Sequence, residues 1–63
     1  MKPEDIKICV TYEGRPGRHS GKRVRRSVVA VDVCFTDYTD VRGRKWCSTT
    51  SAFAKWADRI AED

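Results

Sequence analysis

An α+β fold, with a three-stranded antiparallel sheet and one C-terminal helix packed on one of its faces, is predicted by three observations. Residues 6–12 and 27–38 have strand character, the first through strict alternation and the second through its valine content. A tight-turn signal then leads into a third strand over 44–48. From about Thr50 the apolar spacing changes to that of a helix. The 63 residues make one small domain, 1–63. A chain this short buries only about 60% of its unfolded surface, leaving a net stability of a few kcal/mol and no room for a deep catalytic pocket.

Each element has its own warrant. After a polar lead-in, alternation puts Ile6, Ile8, Val10 and Tyr12 on one face of the first strand and Lys7, Cys9 and Thr11 on the other. In the second strand Val29, Val31, Val33 and Phe35 form an apolar face, and Val28, Ala30, Asp32, Cys34, Thr36 and Tyr38 a mixed one. The helix is expected to cover the apolar face. Asp40 and Gly43 occupy the first and fourth positions of a type I turn, with Gly43 suited to the left-handed conformation that closes the hairpin. Counting back from that turn sets Tyr38 opposite Trp46, within one residue. Phe53, Trp56, Ala57 and Ile60 follow the i, i+3, i+4, i+7 spacing of one helix face, and Thr49, Thr50 or Ser51 can cap its start. Glu62 and Asp63 bring negative charge where the helix dipole favours positive, so this end is expected to fray or to continue into a longer chain.

The charge pattern carries the functional signal. The net charge is +4, and nine of the thirteen basic residues lie between Arg15 and Lys45, opposed there by Asp32, Asp37 and Asp40. Residues 14–26 hold six Arg/Lys, no acid, three glycines and a proline. They read as a basic, flexible hairpin loop suited to a polyanion, and the polarised charge favours nucleic acid over uniform solubility charge. Arg15, Arg18, Lys22, Arg23, Arg25 and Arg26 are the candidate phosphate contacts, since the guanidinium fork matches phosphate bidentately. Arg25 and Arg26 are consecutive in a strand and so point to opposite faces. Arg42, Arg44 and Lys45 form a second cationic group, expected at the other end of the central strand. Tyr38 and Trp46 are expected between the two groups on the uncovered sheet face, available for stacking or as interface anchors. Ordinary aromatic packing at the edge of a thin core is the competing reading, and Asp32 on that face counts against a phosphate track across it.

Other chemistries are excluded by spacing. Cys9, Cys34, Cys47 and His19 lack any Cys-x-x-Cys pair, and alternation sends Cys34 and Cys47 to opposite faces, so no metal or other cofactor is predicted. Three widely spaced cysteines do not make a disulfide framework and fit a reducing, cytoplasmic compartment. A lone His19 in a loop and scattered acids offer no catalytic constellation, so no enzyme is predicted. No apolar run reaches the roughly 18 residues that would cross a bilayer.

The run Gly43-Arg44-Lys45-Trp46, leading through Ser48-Thr49-Thr50 to Ala54-Lys55-Trp56-Ala57, resembles the amino-terminal arm-binding domains of phage-type tyrosine integrases, which are similar in fold to plant AP2 domains. The likeness covers about a quarter of the residues and most of the element order. It implies a DNA-binding module whose three-stranded sheet enters the major groove, braced by the helix. The first strand lacks an early aromatic and the first loop is long for that group. The expected function is therefore a small basic nucleic-acid-binding module, for double-stranded DNA, with RNA as a further partner. The alternative is a phage or mobile-element protein that binds and inhibits an acidic host protein or defence complex. A monomer is expected, or a weak homodimer through an edge strand.

Overall fold

The computed structural model describes residues 1–61; the reading of Glu62 and Asp63 lies outside them. Proline at the first position of a 3-10 turn, Pro3–Asp5, starts the chain. Ile6 follows it into the core. The predicted strand over 6–12 does not form as one piece. Cys9 takes a positive φ of 64°, and this turn lets the chain fold back so that the fully buried Tyr12 can satisfy its hydroxyl locally. That hydroxyl accepts from the Lys7 amide at 2.8 Å and donates to the Asp5 carbonyl at 3.0 Å. Ile6 and Tyr12 point inward as their spacing suggests, while Ile8 is exposed.

Among the described residues five strands follow where three were predicted: β1 (Thr11–Gly14), β2 (Arg25–Val31), β3 (Phe35–Thr39), β4 (Lys45–Thr49) and β5 (Ala57–Ile60). They form one sheet in the order β4-β3-β2-β1-β5, every neighbouring pair antiparallel. One extra strand comes from the valine-rich segment, which breaks at Asp32. The Asp32 carboxylate oxygen Oδ1 accepts from the amides of Cys34 at 2.8 Å and Phe35 at 2.7 Å, closing a hairpin turn between β2 and β3. The other extra strand comes from the predicted helix. Helix α1 (Thr50–Trp56) is capped by Thr49, whose hydroxyl accepts from the Ala52 amide, and stops after seven residues. The following residues pair instead with the open edge of β1, Tyr12 opposite Ile60 and Gly14 opposite Ala57.

The helix covers the sheet face opposite to the predicted one, and a bulge brings Val31 onto it. Val28 pairs with Tyr38 but Ala30 pairs with Asp37, so Val29 is an extra residue in β2 and the alternation reverses there. The covered face carries Tyr12, Val28, Thr36 and Tyr38, and the predicted cover over Val29, Val33 and Phe35 is corrected: these three are exposed. Phe53 of α1 centres the core, edge-on to Tyr12 at 5.7 Å and tilted against Tyr38 and Trp56 at 5.2 Å. Thr50, also buried, hydrogen-bonds the Thr36 hydroxyl and the Asp32 carbonyl, so the polar groups beside the core are satisfied. Gly14 makes room for Trp56. A Cβ at this position would stand 2.6 Å from the indole nitrogen, inside any tolerable contact. Among the described residues no helix is long and apolar enough to cross a membrane.

Candidate nucleic-acid interface

Splitting the valine-rich segment into two strands has a geometric consequence for the cations. With β2 and β3 antiparallel, the β1–β2 loop and the β3–β4 turn project from the same end of the sheet. A single uninterrupted strand would put them at opposite ends, as the sequence predicts, so that expectation is corrected. The two cationic groups share one end.

The long loop is partly ordered by its own backbone. The Gly14 amide bonds the Val24 carbonyl, the Gly17 amide the Lys22 carbonyl and the Gly21 amide the Gly17 carbonyl, each at 3.0 Å. Gly21 takes a φ of +66°, a conformation glycine enters at no steric cost. Arg15, Arg18, His19 and Lys22 are exposed around this frame. The shorter turn is built on Asp40, whose Oδ1 accepts from the amides of Arg42 at 2.8 Å and Arg44 at 3.0 Å, with Gly43 left-handed at φ +81°. Arg42, Arg44 and Lys45 are exposed around it. Among the described residues none of Arg15, Arg18, Lys22, Arg42, Arg44 and Lys45 forms a salt bridge.

The other candidate arginines are held by the protein itself. Arg23 bridges the Asp58 carboxylate at 2.7 Å and the Gly14 carbonyl at 3.1 Å, tying the loop base to β5. Arg25 lies on the uncovered face, where its Nε donates to Glu13 at 3.1 Å, and Arg59 of β5 donates to the same carboxylate at 2.9 Å. These bonds, from Arg59 first and Arg25 second, hold the Glu13 carboxyl below its ordinary range. Asp58 is lowered likewise by Arg23. Arg26 faces the other way, as the strand alternation requires. Its guanidinium carbon lies 4.8 Å from the centre of the Tyr38 ring and 4.2 Å from that of Trp56.

The aromatic pair behaves asymmetrically. Tyr38 and Trp46 are directly opposite across β3 and β4, as counted from the turn. Both stand on the helix side, not on the uncovered face, because the sheet alternation around Val28 turns Tyr38 inward. Tyr38 is buried against Phe53 and cannot stack on a ligand, which corrects its predicted role. Trp46 lies on the outermost strand, beyond the reach of the short helix, and is 51% exposed. Its indole Nε1 donates to Asp40 Oδ2 at 3.0 Å. That bond is the main reason the Asp40 carboxyl sits below its ordinary range. Val24, Arg26, Tyr38, Asp40 and Trp46 together line an open groove of about 360 Å³ between the two basic connections.

The Asp40–Trp46 link was not readable from sequence, where Asp40 counted only as a turn former; an Asp six residues before an exposed Trp across a tight turn is the pattern that would have shown it. The cysteines do not converge. Cys34 sits in the β2–β3 turn and Cys47 on β4, where a hydrogen bond to Asp37 pushes its thiol up, away from reactivity. Among the described residues no group of His, Cys, Asp and Glu side chains could hold a metal ion. No family model matches this chain, and no curated protein or solved structure matches it.

Proposed function

We propose that this chain is a small, non-enzymatic nucleic-acid-binding module that grips the phosphate backbone with the loop-bearing end of its sheet. The observation that carries this reading is the projection of both cationic connections from one end, with six exposed basic side chains that form no salt bridge among the described residues. Concentrated positive charge with unoccupied donors is the electrostatic footprint of a phosphate-binding surface.

The mode differs from the one the integrase resemblance implies. Five strands abreast span about 19 Å between the outer backbones, wider than the roughly 12 Å of a major groove. The uncovered face also carries Asp37 and the Glu13 carboxylate between its arginines. The narrow loop end is the better fit to a polynucleotide. The resemblance enters this proposal at the level of element order, from β2 through α1. The host-protein alternative relied on Tyr38 and Trp46 as paired anchors, and burial of Tyr38 removes one of them.

Binding should be measured across a salt series. With six contacts, log affinity is expected to fall against log salt with a slope near −5 on duplex DNA and about −4 on single strands. Replacing Arg15, Arg18 and Lys22 together by alanine should bring the duplex slope to about −3. Affinity that ignores salt, or a triple variant indistinguishable from its parent, rules the proposal out.

A further inference from the structure

The groove between the two basic connections bears on which nucleic acid the loop-bearing end takes, and the inference drawn from it rests on the nucleic-acid reading of that end. Trp46 is a large apolar side chain left half in solvent while every other aromatic on its face is covered or partly covered. Its orientation is nonetheless fixed. The indole N–H is bonded to Asp40 Oδ2, and Asp40 Oδ1 is itself held by two backbone amides of the turn. The ring's one donor is therefore used, and what it offers to solvent is a pre-set aromatic surface. Such a surface recognises a flat partner by stacking, with little ordering left to do on binding.

Beside it lies a cation held by aromatic rings. Arg26 is only partly exposed, and among the described residues its contacts are two aromatic rings and no carboxylate. A guanidinium stacked on aromatic faces does not spend its in-plane N–H donors on the rings. The groove thus has an aromatic wall, a donor-rich cationic floor and exposed basic residues on both flanks. Asp40 stands on the Trp46 side, so a phosphate is favoured on the Arg26 side and the flat group against the indole. Within a nucleic acid, an anionic group joined to a flat ring is a nucleotide. In a duplex the base faces are already stacked on one another and unavailable.

We infer that Trp46 is a stacking platform for an unpaired base, with Arg26 toward its phosphate, and that the partner is single-stranded nucleic acid in preference to duplex. DNA and RNA share this chemistry, and the sugar distinguishes them only by the 2′-hydroxyl.

The experiment titrates the full chain, at one fixed salt, with oligothymidylate, oligouridylate, an abasic strand of equal length and a mixed-sequence duplex. Parent, Trp46→Ala and Trp46→Phe are compared. The parent should bind the base-bearing single strands at least several-fold tighter than the duplex and quench its tryptophan emission on doing so. Trp46→Ala should lose roughly tenfold on those strands, little on the abasic strand and the duplex, and Trp46→Phe should recover most of the loss. The remaining Trp56 emission checks that both variants are folded. Tighter binding of either the thymidylate or the uridylate supports the inference and names the sugar. Equal affinity for single strand and duplex overturns it, as does a pair of Trp46 variants that match the parent on single strands. In either of those cases a steep salt slope on all strands would leave the backbone-binding reading standing, whereas a flat slope removes both.

Discussion

Two tight hairpin turns of this protein each recruit an aspartate carboxylate, at opposite ends of the sheet. At the end shared with Ile6 and Thr50, Asp32 Oδ1 accepts two amides to close the turn before β3. At the loop-bearing end, Asp40 Oδ1 does the same before β4. In both, those bonds hold the aspartate carboxyl below its ordinary range, from the Phe35 and Cys34 amides in one and, after the Trp46 indole, the Arg44 and Arg42 amides in the other. The residues mounted on the turns differ. The first turn displays Val33 and Cys34, the second Arg42, Arg44 and a pinned indole. Arg42 and Arg44 give the second turn their backbone amides, which any residue but proline could supply.

Three outcomes would break or sharpen this contrast. The largest concerns what both ends share. Phe53 is buried at the centre of the core, and Phe53→Ala should cost about 3–5 kcal/mol, comparable to the whole stability of so small a chain. Thermal unfolding by circular dichroism should show the transition lost or displaced far downward, and a small shift would mean that the core does not unite the two ends. Next comes the pair Asp32→Asn and Asp40→Asn. Each should lower the melting temperature, but only Asp40→Asn should alter Trp46 emission, because only Asp40 holds the indole. Equal effects of the two on that emission would erase the distinction between the turns.

The smallest effect is the response to acid. Glu13, Asp32, Asp40 and Asp58 all have folded-state values depressed below the ordinary carboxylate range. Groups of this kind contribute stability that is fully present above the unfolded value of about 4. It is lost as pH falls from there toward the folded values, since the unfolded chain takes up protons first. The melting temperature should therefore be level from pH 7 to about 5 and fall below about 4. Glu13→Gln should flatten the fall, and a chain whose stability rises on acidification would contradict the pairing seen here.

Much of this was legible in the residues. The α+β class, the antiparallel sheet, the Tyr38–Trp46 register, the left-handed Gly43 and a helix cap among Thr49, Thr50 and Ser51 all follow from local signals whose physics is local. What was not legible depends on groups distant in sequence or on a single bond. The valine run from Ser27 onward has uniform strand propensity, and nothing in propensity announces that the Asp32 side chain will capture two amides and reverse the chain. The helix covers the mixed face of Val28, Thr36 and Tyr38 instead of the valine face that the sequence favoured, and the bulge at Val29 inverts the alternation and brings Val31 to that covered side. Strand β5 exists because β1 presents an unpaired edge, whereas its own residues continue the helical spacing of Phe53 and Trp56. At the candidate site, the cationic residues were readable by type, and their gathering at one end was not, since it depends on the number of strands between them.

The bare backbone at Gly14 reaches further than its own strand. Trp56 lies across that position, and Arg26 rests on the Trp56 ring. Any side chain placed on β1 there must lift the indole, and with it the support beneath the guanidinium. The floor of the groove is thus set from the neighbouring strand by the absence of a single methyl group, and a change there would be felt at the Arg26 guanidinium.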